Sequence, residues 1–190
     1  MDVHDLALAY SLSSIAGLRA GLTIAALSLA VHLHWLAAPP GMQWIGSDAT
    51  LGIAAVLVVA DFVADKVPGV DHVLHLVHAV LAPVAGGTAA LVSDPALSDG
   101  NGTAIALAVA AGANALGVHG LRSSARAAST VTTFGALNPV VSIVEDVAAL
   151  VALVLAFFVP ILVAIAALLC TLAAILVVCR ILARRLTRAA

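Results

Sequence analysis

The chain has 190 residues, of which 63% are hydrophobic and only 9% are charged. Soluble domains have about 45–50% apolar and about 25% charged residues, so a soluble fold of this size could not bury so much apolar surface. The composition therefore excludes a soluble domain and predicts a protein that crosses a membrane several times. The formal net charge of -2 does not indicate a particular partner. We expect the chain to contact the lipid bilayer, and we expect no nucleic-acid partner.

The apolar stretches are continuous and rich in Ala, Leu and Val, whereas the strands of a membrane barrel alternate over about ten residues. They predict an all-α, polytopic membrane helix bundle that forms a single integral membrane domain over residues 1–190. Polar and helix-breaking segments divide the chain into about six transmembrane helices. The predicted spans are 13–36, 49–66, 70–92, 102–121, 138–159 and 161–185, with Pro83 as a kink inside the third.

The last two of these spans come from one apolar run, Val147 to Val178. A helix of that length would reach about 50 Å, against roughly 30 Å of hydrocarbon. We therefore divide the run at Pro160, and a single long kinked helix is the alternative.

The basic residues predict the orientation of the chain. In a six-span arrangement all eight lysines and arginines lie on the side of the two termini. The connections on the opposite side contain Asp48, Asp94 and Asp99 but no basic residue, and Trp35 and Trp44 lie at that interface. Because basic residues favour the cytoplasmic side, both termini are predicted to be cytoplasmic.

Charged residues from three predicted helices lie at a similar depth near the cytoplasmic side. Carboxylates inside a membrane face protein, water or a ligand rather than lipid. An excess of carboxylates would favour a cytoplasm-facing acidic cavity that binds a cation or a proton. The alternative is that ion pairs with Arg19 lock the bundle together. The candidate residues are Arg19, Asp61, Asp65, Asn138, Ser142, Glu145 and Asp146.

The third predicted helix begins with a second candidate site. Imidazole and carboxylate groups on one helical face can bind a divalent metal such as zinc, or relay protons. The alternative is that these histidines only line a polar helix interface. We predict no other cofactor. The candidate metal ligands are Asp71, His72, His75 and His78.

A third set lies where the fourth predicted helix leaves the membrane. His119, Arg122 and Arg126 are spaced for one helical face and could hold a phosphate or a lipid headgroup. The alternative is that they anchor the helix end among anionic headgroups. The tripeptide Gly-Leu-Arg at Gly17–Arg19 recurs at Gly120–Arg122, which favours two related three-helix halves.

Several motifs resemble, in the same order, those of a bacterial integral membrane family known as domain of unknown function 4126. The resemblance covers nearly the whole chain and implies an integral membrane protein of the bacterial inner membrane with a helical fold, but no activity. In that family asparagine is typical at the position of Arg19, glutamate at Asp61 and lysine at Arg122. The motifs are AGLRAGLT (Ala16–Thr23), ADFVADKVPGVD (Ala60–Asp71), APVAGG (Ala82–Gly87), HGLRSSAR (His119–Arg126) and NPVVSIVEDV (Asn138–Val147).

Three functions remain open from the sequence, and no catalytic motif favours an enzyme. The leading prediction is a small transporter or channel-like protein with the acidic cavity described above. The second is a membrane protein that binds or processes a phosphate-bearing lipid. The third is a structural or accessory subunit whose charges pair with a homodimer or another membrane-complex partner.

Overall fold

The computed structural model describes residues 2–64, 71–94, 102–134 and 136–189, and their side chains apart from Ala64, residues 71–75, Asn138 and residues 181–189. All regular structure in these ranges is helical, which confirms the predicted all-α class. A short 3-10 helix spans Gln43–Gly46. The α-helices are α1 Val3–Leu18, α2 Ala20–His32, α3 Asp48–Ala64, α4 Asp71–Ser93, α5 Gly102–Thr133, α6 Asn138–Phe158 and α7 Pro160–Ala189.

Within the described ranges, four helical segments are long and apolar enough to cross a membrane. The chain is therefore a multi-pass membrane protein, while the count of six spans stays a prediction. The four segments are Leu76–Ser93, Gly102–Thr133, Pro139–Phe158 and Pro160–Arg180.

The prediction of one continuous helix over residues 13–36 is wrong, because the chain forms two helices there. Helix α1 begins at Val3 because Asp2 and Asp5 form a capping box, in which the backbone N–H of Asp5 donates to Asp2 at 2.9 Å. That hydrogen bond also holds the pKa of Asp2 below its ordinary value. The helix then ends at Leu18, and Arg19 adopts an extended conformation with φ -146° and ψ 86° before α2 begins.

Helices α1 and α2 form a V-shaped hairpin with Arg19 at its apex. Leu27 and Val31 of α2 belong to the same buried cluster as Leu8 and Leu12 of α1, so α2 returns towards the end of the bundle where α1 begins. The hairpin therefore enters and leaves the bundle at one end, and only its apex reaches the polar residues at the other.

Helix α5 fixes the direction of α1. The side chain of Asn114 donates to the hydroxyls of Ser13 and Ser14 at 2.8 and 3.0 Å, and Arg122 donates to the backbone carbonyl of Leu18 at 2.6 Å. Both helices therefore run in the same direction. The amino-terminal ends of α1 and α5 lie at one end of the bundle, and the arginines of α5 lie towards the other.

The structure also extends α5 beyond its predicted end at Leu121. The Ser/Thr-rich composition of the segment that follows is typical of a connection. Its hydroxyls, however, donate to carbonyls one turn earlier in the helix, which satisfies them without ending it. Examples are Ser123 to the carbonyl of His119 at 2.7 Å and Thr133 to that of Ser129 at 2.7 Å. Arg122 is thereby kept on a rigid helix.

The division predicted at Pro160 matches the helix boundaries. Val159 separates α6 from α7 with φ -140° and ψ 58°, and Pro160 is the first residue of α7. The hydroxyl of Ser11 donates to the carbonyl of Pro160 at 3.1 Å, so α1 contacts the chain at this second break. Pro83 lies inside α4, as predicted.

The close packing of α1 on α5 generates a test. A Cβ atom at Gly17 would lie 2.4 Å from the backbone oxygen of Ala115, whereas one at Gly117 would meet nothing within 4 Å. We expect Gly17→Ala to destabilise the protein by about 1–3 kcal/mol because it overpacks this contact. Gly117→Ala, the matched control on an exposed helix face, should be neutral or stabilising by up to about 1 kcal/mol. Unfolding in detergent micelles measures both, and equal stabilities of the two variants would contradict the close approach.

Candidate functional site

The guanidinium of Arg19 lies completely buried at the apex of the hairpin. It forms an ion pair with Asp146 of α6 and donates to the hydroxyl of Ser142 at 3.4 Å. It also donates to the backbone carbonyl of Asp61 in α3 at 3.2 Å and lies 5.4 Å from the centre of the Phe62 ring. One arginine thus connects the hairpin to both α3 and α6.

The break at Arg19 leaves helix-end backbone groups that need partners inside the bundle. At the amino-terminal end of α2, the backbone N–H of Gly21 donates to the carboxylate of Asp61 at 3.2 Å. At the carboxyl-terminal end of α1, the carbonyl of Leu18 accepts from Arg122. A carboxylate and a guanidinium therefore meet the helix ends whose partial charges are opposite to their own.

Asp61 also pairs with a histidine. Its carboxylate oxygen Oδ1 lies 3.2 Å from Nε2 of His78 in α4, and the two side chains are only 5% and 4% exposed. The ring of His78 stacks on that of His119 in α5, with ring centres 6.1 Å apart and planes inclined by 29°. A carboxylate of α3 and an imidazole of α4 are therefore buried in direct contact.

Glu145 holds the two arginines of α5. It accepts from Nε of Arg122 at 2.9 Å and from Nε and Nη2 of Arg126 at 3.2 and 3.0 Å. Both guanidinium groups, predicted from the sequence to hold a phosphate or headgroup, therefore contact a carboxylate of α6. We call the connected set the polar network; it consists of Arg19, Asp61, His78, His119, Arg122, Arg126, Ser142, Glu145 and Asp146.

The polar network is balanced in charge when its histidines are neutral. It contains three arginines and three carboxylates, whereas the interpretation of the sequence assumed an excess of carboxylates. The count from the sequence included Asp65 and placed Arg126 nearer the surface, whereas the longer α5 brings Arg126 within reach of Glu145. Asp65 and Lys66 lie outside the described residues and do not enter this count.

Two cavities that the described residues line lie away from the polar network. The larger has a volume of about 720 Å³ and lies between α4, α5 and the segment before the 3-10 helix. The smaller, of about 240 Å³, lies beside Tyr10 and Asn114. Neither coincides with the acidic cavity that the sequence predicts.

The predicted metal site is described only in part. Helix α4 includes Asp71, His72 and His75, but their side chains lie outside the described residues, as does that of Asn138. His78 contacts Asp61 instead. Ligand atoms of Asp2, His4 and Asp5 lie within 4.8 Å of one another at the start of α1, a grouping that sequence analysis missed. The D-x-H-D pattern could have signalled it, although here the two aspartates form the capping box.

The sequence does contain a signal for the break at Arg19. Gly17 and Gly21 flank it, and a Cβ atom at Gly21 would lie 2.5 Å from the carboxylate of Asp61. Both glycines therefore permit close approach of neighbouring helices at the apex.

The sequence profile of the family described as Domain of unknown function (DUF4126) matches residues 6–180. The chain belongs to this family. The match extends from α1 into α7 and includes every member of the polar network, which confirms the resemblance seen in the sequence motifs. No curated protein and no solved structure matches the chain.

The ion pair between Arg19 and Asp146 can be tested by a double-mutant cycle. Removing one partner of a buried pair leaves an uncompensated charge and costs about 3–5 kcal/mol. We expect Arg19→Met and Asp146→Leu each to destabilise strongly, and the double variant to be clearly less destabilised than the sum of the two. Unfolding in detergent micelles measures the cycle, and strictly additive effects would contradict the pair. Asp48→Asn, at a side chain that is 95% exposed, is the control and should be neutral.

Proposed function

We propose that this protein is a small transporter or channel-like protein of the bacterial inner membrane, and that the proton is the cation it binds. The observation that carries the proposal is the contact between Asp61 and His78, which are buried together at the broken helix. Ionisable residues inside a membrane protein commonly belong to substrate pathways and proton relays.

The contacts of the polar network favour a proton over a metal cation. Glu145 and Asp146 each contact an arginine, so a metal ion would have to displace a guanidinium to reach either carboxylate. Asp61 instead contacts an imidazole, which can gain or lose one proton without moving. His119, stacked on His78, provides a second imidazole through which a proton can leave towards α5.

The broken helix supports a transport role as well. In many transporters, discontinuous helices form the binding site, because their freed helix ends can face a ligand or an ion. Here the ends of α1 and α2 meet Arg122 and Asp61 inside the bundle. Protonation of Asp61 would weaken its hydrogen bond from the start of α2, and so links the proton to the hairpin.

Proton flux through liposomes tests the proposal. Liposomes containing the protein and an internal pH dye should lose an imposed pH difference faster than protein-free liposomes. We expect Asp61→Asn and His78→Gln to reduce the rate to that of protein-free liposomes, because each removes one proton-binding group of the pair. The matched controls, Asp48→Asn and His34→Gln, change exposed groups and should retain the flux.

The alternative with a specific observation behind it is a structural or accessory subunit. The charge balance of the polar network is what an interhelical lock would require. In that case Asp61→Asn would lower the melting temperature while the flux of the folded fraction stays unchanged. Unchanged flux in a folded Asp61→Asn variant would overturn the proton proposal. Binding of a lipid phosphate is less favoured, since Arg19, Arg122 and Arg126 all contact carboxylates.

We further propose that the arginine end of α5 faces the cytoplasm and that the amino-terminal end of α1 faces the opposite side. The parallel directions of α1 and α5 support this arrangement, as does the positive-inside tendency. It keeps one part of the orientation expected from sequence, the cytoplasmic position of Arg122 and Arg126. It revises the predicted position of the amino terminus, and the predicted six spans to five, because both ends of the hairpin would lie on the same side of the membrane.

Cysteine labelling in intact cells tests this orientation. In a background with Cys170→Ser and Cys179→Ser, we expect a membrane-impermeant maleimide to label His4→Cys and Asp48→Cys. Thr132→Cys, near the end of α5, should react only after the membrane is permeabilised. If His4→Cys behaved like Thr132→Cys, both would lie on the cytoplasmic side and the proposed orientation would be wrong.

A further inference from the structure

The larger cavity is an apolar groove on the outer face of α4 and α5. Its volume is about 720 Å³, and all the side chains that line it are apolar. No member of the polar network contributes to it, so the groove is a separate feature with a different chemistry. A ligand bound there would be held by its hydrocarbon surface alone.

The sequence of α5 creates the shape of the groove. Ala104, Ala108 and Gly112 recur every four residues and form a floor of small side chains. The neighbouring stripe contains Ile105 and Val109, which are 60% and 65% exposed and form a raised rim. A low floor beside a high rim produces a narrow channel along the helix axis rather than a flat face.

The dimensions of the groove fit one hydrocarbon chain. It follows α5 from Ala104 to Leu116, which corresponds to about 18 Å at 1.5 Å per residue. One leaflet contains about 15 Å of hydrocarbon, half of the total thickness of roughly 30 Å. The groove is therefore about as long as a lipid tail that extends through a single leaflet.

The upper end of the groove lies where a membrane interface is expected. Pro39, Pro40 and Met42 form its roof, in the segment between α2 and the 3-10 helix. Trp35 and Trp44 flank these three residues in the sequence and are 65% and 59% exposed. Exposed tryptophans are enriched at the level of lipid headgroups, so the groove begins near the headgroups and runs into the hydrocarbon.

We propose that this groove is a binding site for one acyl chain of a membrane lipid. The helices that form it are two of the candidate membrane-spanning segments, so its open side faces hydrocarbon. The small floor residues allow the chain to lie close to the backbone of α5, while Val84 and Val109 contact it from the two sides. Because the lining residues bear no charged or hydrogen-bonding side chain, the site selects for the tail and not for the headgroup.

Native mass spectrometry with added palmitoyl-oleoyl-phosphatidylglycerol tests the proposal. We expect the folded protein to retain one lipid per chain in a saturable manner. Ala113→Phe places a ring in the groove from an exposed position on α5 and should weaken this binding by about tenfold, the loss expected when two methylene groups lose their contacts. Ala106→Phe, exposed on α5 but outside the groove, is the matched control and should bind as the unmodified protein does. If Ala113→Phe does not fold, Val109→Trp obstructs the same groove from its rim.

Three results would overturn the proposal. One is equal lipid retention by all three proteins. Another is a change of the protein from dimer to monomer in Ala113→Phe with no change in bound lipid, which would make the groove an interface between two copies of the chain. The third is retention that differs between phosphatidylglycerol and phosphatidylcholine but not between the variants, which would show recognition of the headgroup. Equal retention of the two lipids, together with loss in Ala113→Phe, supports an acyl-chain site.

Discussion

The buried guanidinium of Arg19 is the constraint on which the arrangement of the bundle depends. A positive charge at this depth is tolerated only where other groups of the protein compensate it. Asp146 supplies the opposite charge from α6, and the carbonyl of Asp61 supplies an acceptor from α3. Helices α3 and α6 must therefore both meet the apex of the α1–α2 hairpin. The break between α1 and α2 and the buried position of the Arg19 guanidinium therefore depend on each other.

The balance of charge narrows the chemistry that the site can perform. Two of its carboxylates contact arginines, which remain protonated at any physiological pH. The third carboxylate, that of Asp61, instead contacts the imidazole of His78. In the proposed function the arginines therefore hold Glu145 and Asp146, while the pair of Asp61 and His78 binds the proton.

The sequence predicted the fold class and part of the site, for reasons that belong to particular residues. Composition was enough for a helical membrane protein, and Pro160 was enough for the break before α7, because proline cannot continue a helix without losing a hydrogen bond. Depth along the predicted helices was enough to bring Arg19, Asp61 and Asp146 into one site. The hairpin was not predicted, because Arg19 is compatible with a helix and the break depends on tertiary contacts at Gly17 and Gly21. The contact of Arg126 with Glu145 was not predicted, because a sequence rich in serine and threonine is typical of a loop. These hydroxyls can, however, donate to backbone carbonyls of the same helix.

Helix α5 shows how one element serves two different environments. Its first half carries alanine and glycine, which allow α4 to approach closely and leave the apolar groove on the outer side. Its second half carries His119, Arg122 and Arg126, which belong to the polar network. A proton added to this balanced network would leave one uncompensated charge in a medium of low dielectric constant, where charges interact strongly. That charge is most stable if water reaches the apex of the hairpin. If Asp61 takes the proton, its hydrogen bond from the backbone N–H of Gly21 in α2 becomes weaker. In the proposed function, protonation of Asp61 therefore weakens the contact between α3 and the start of α2.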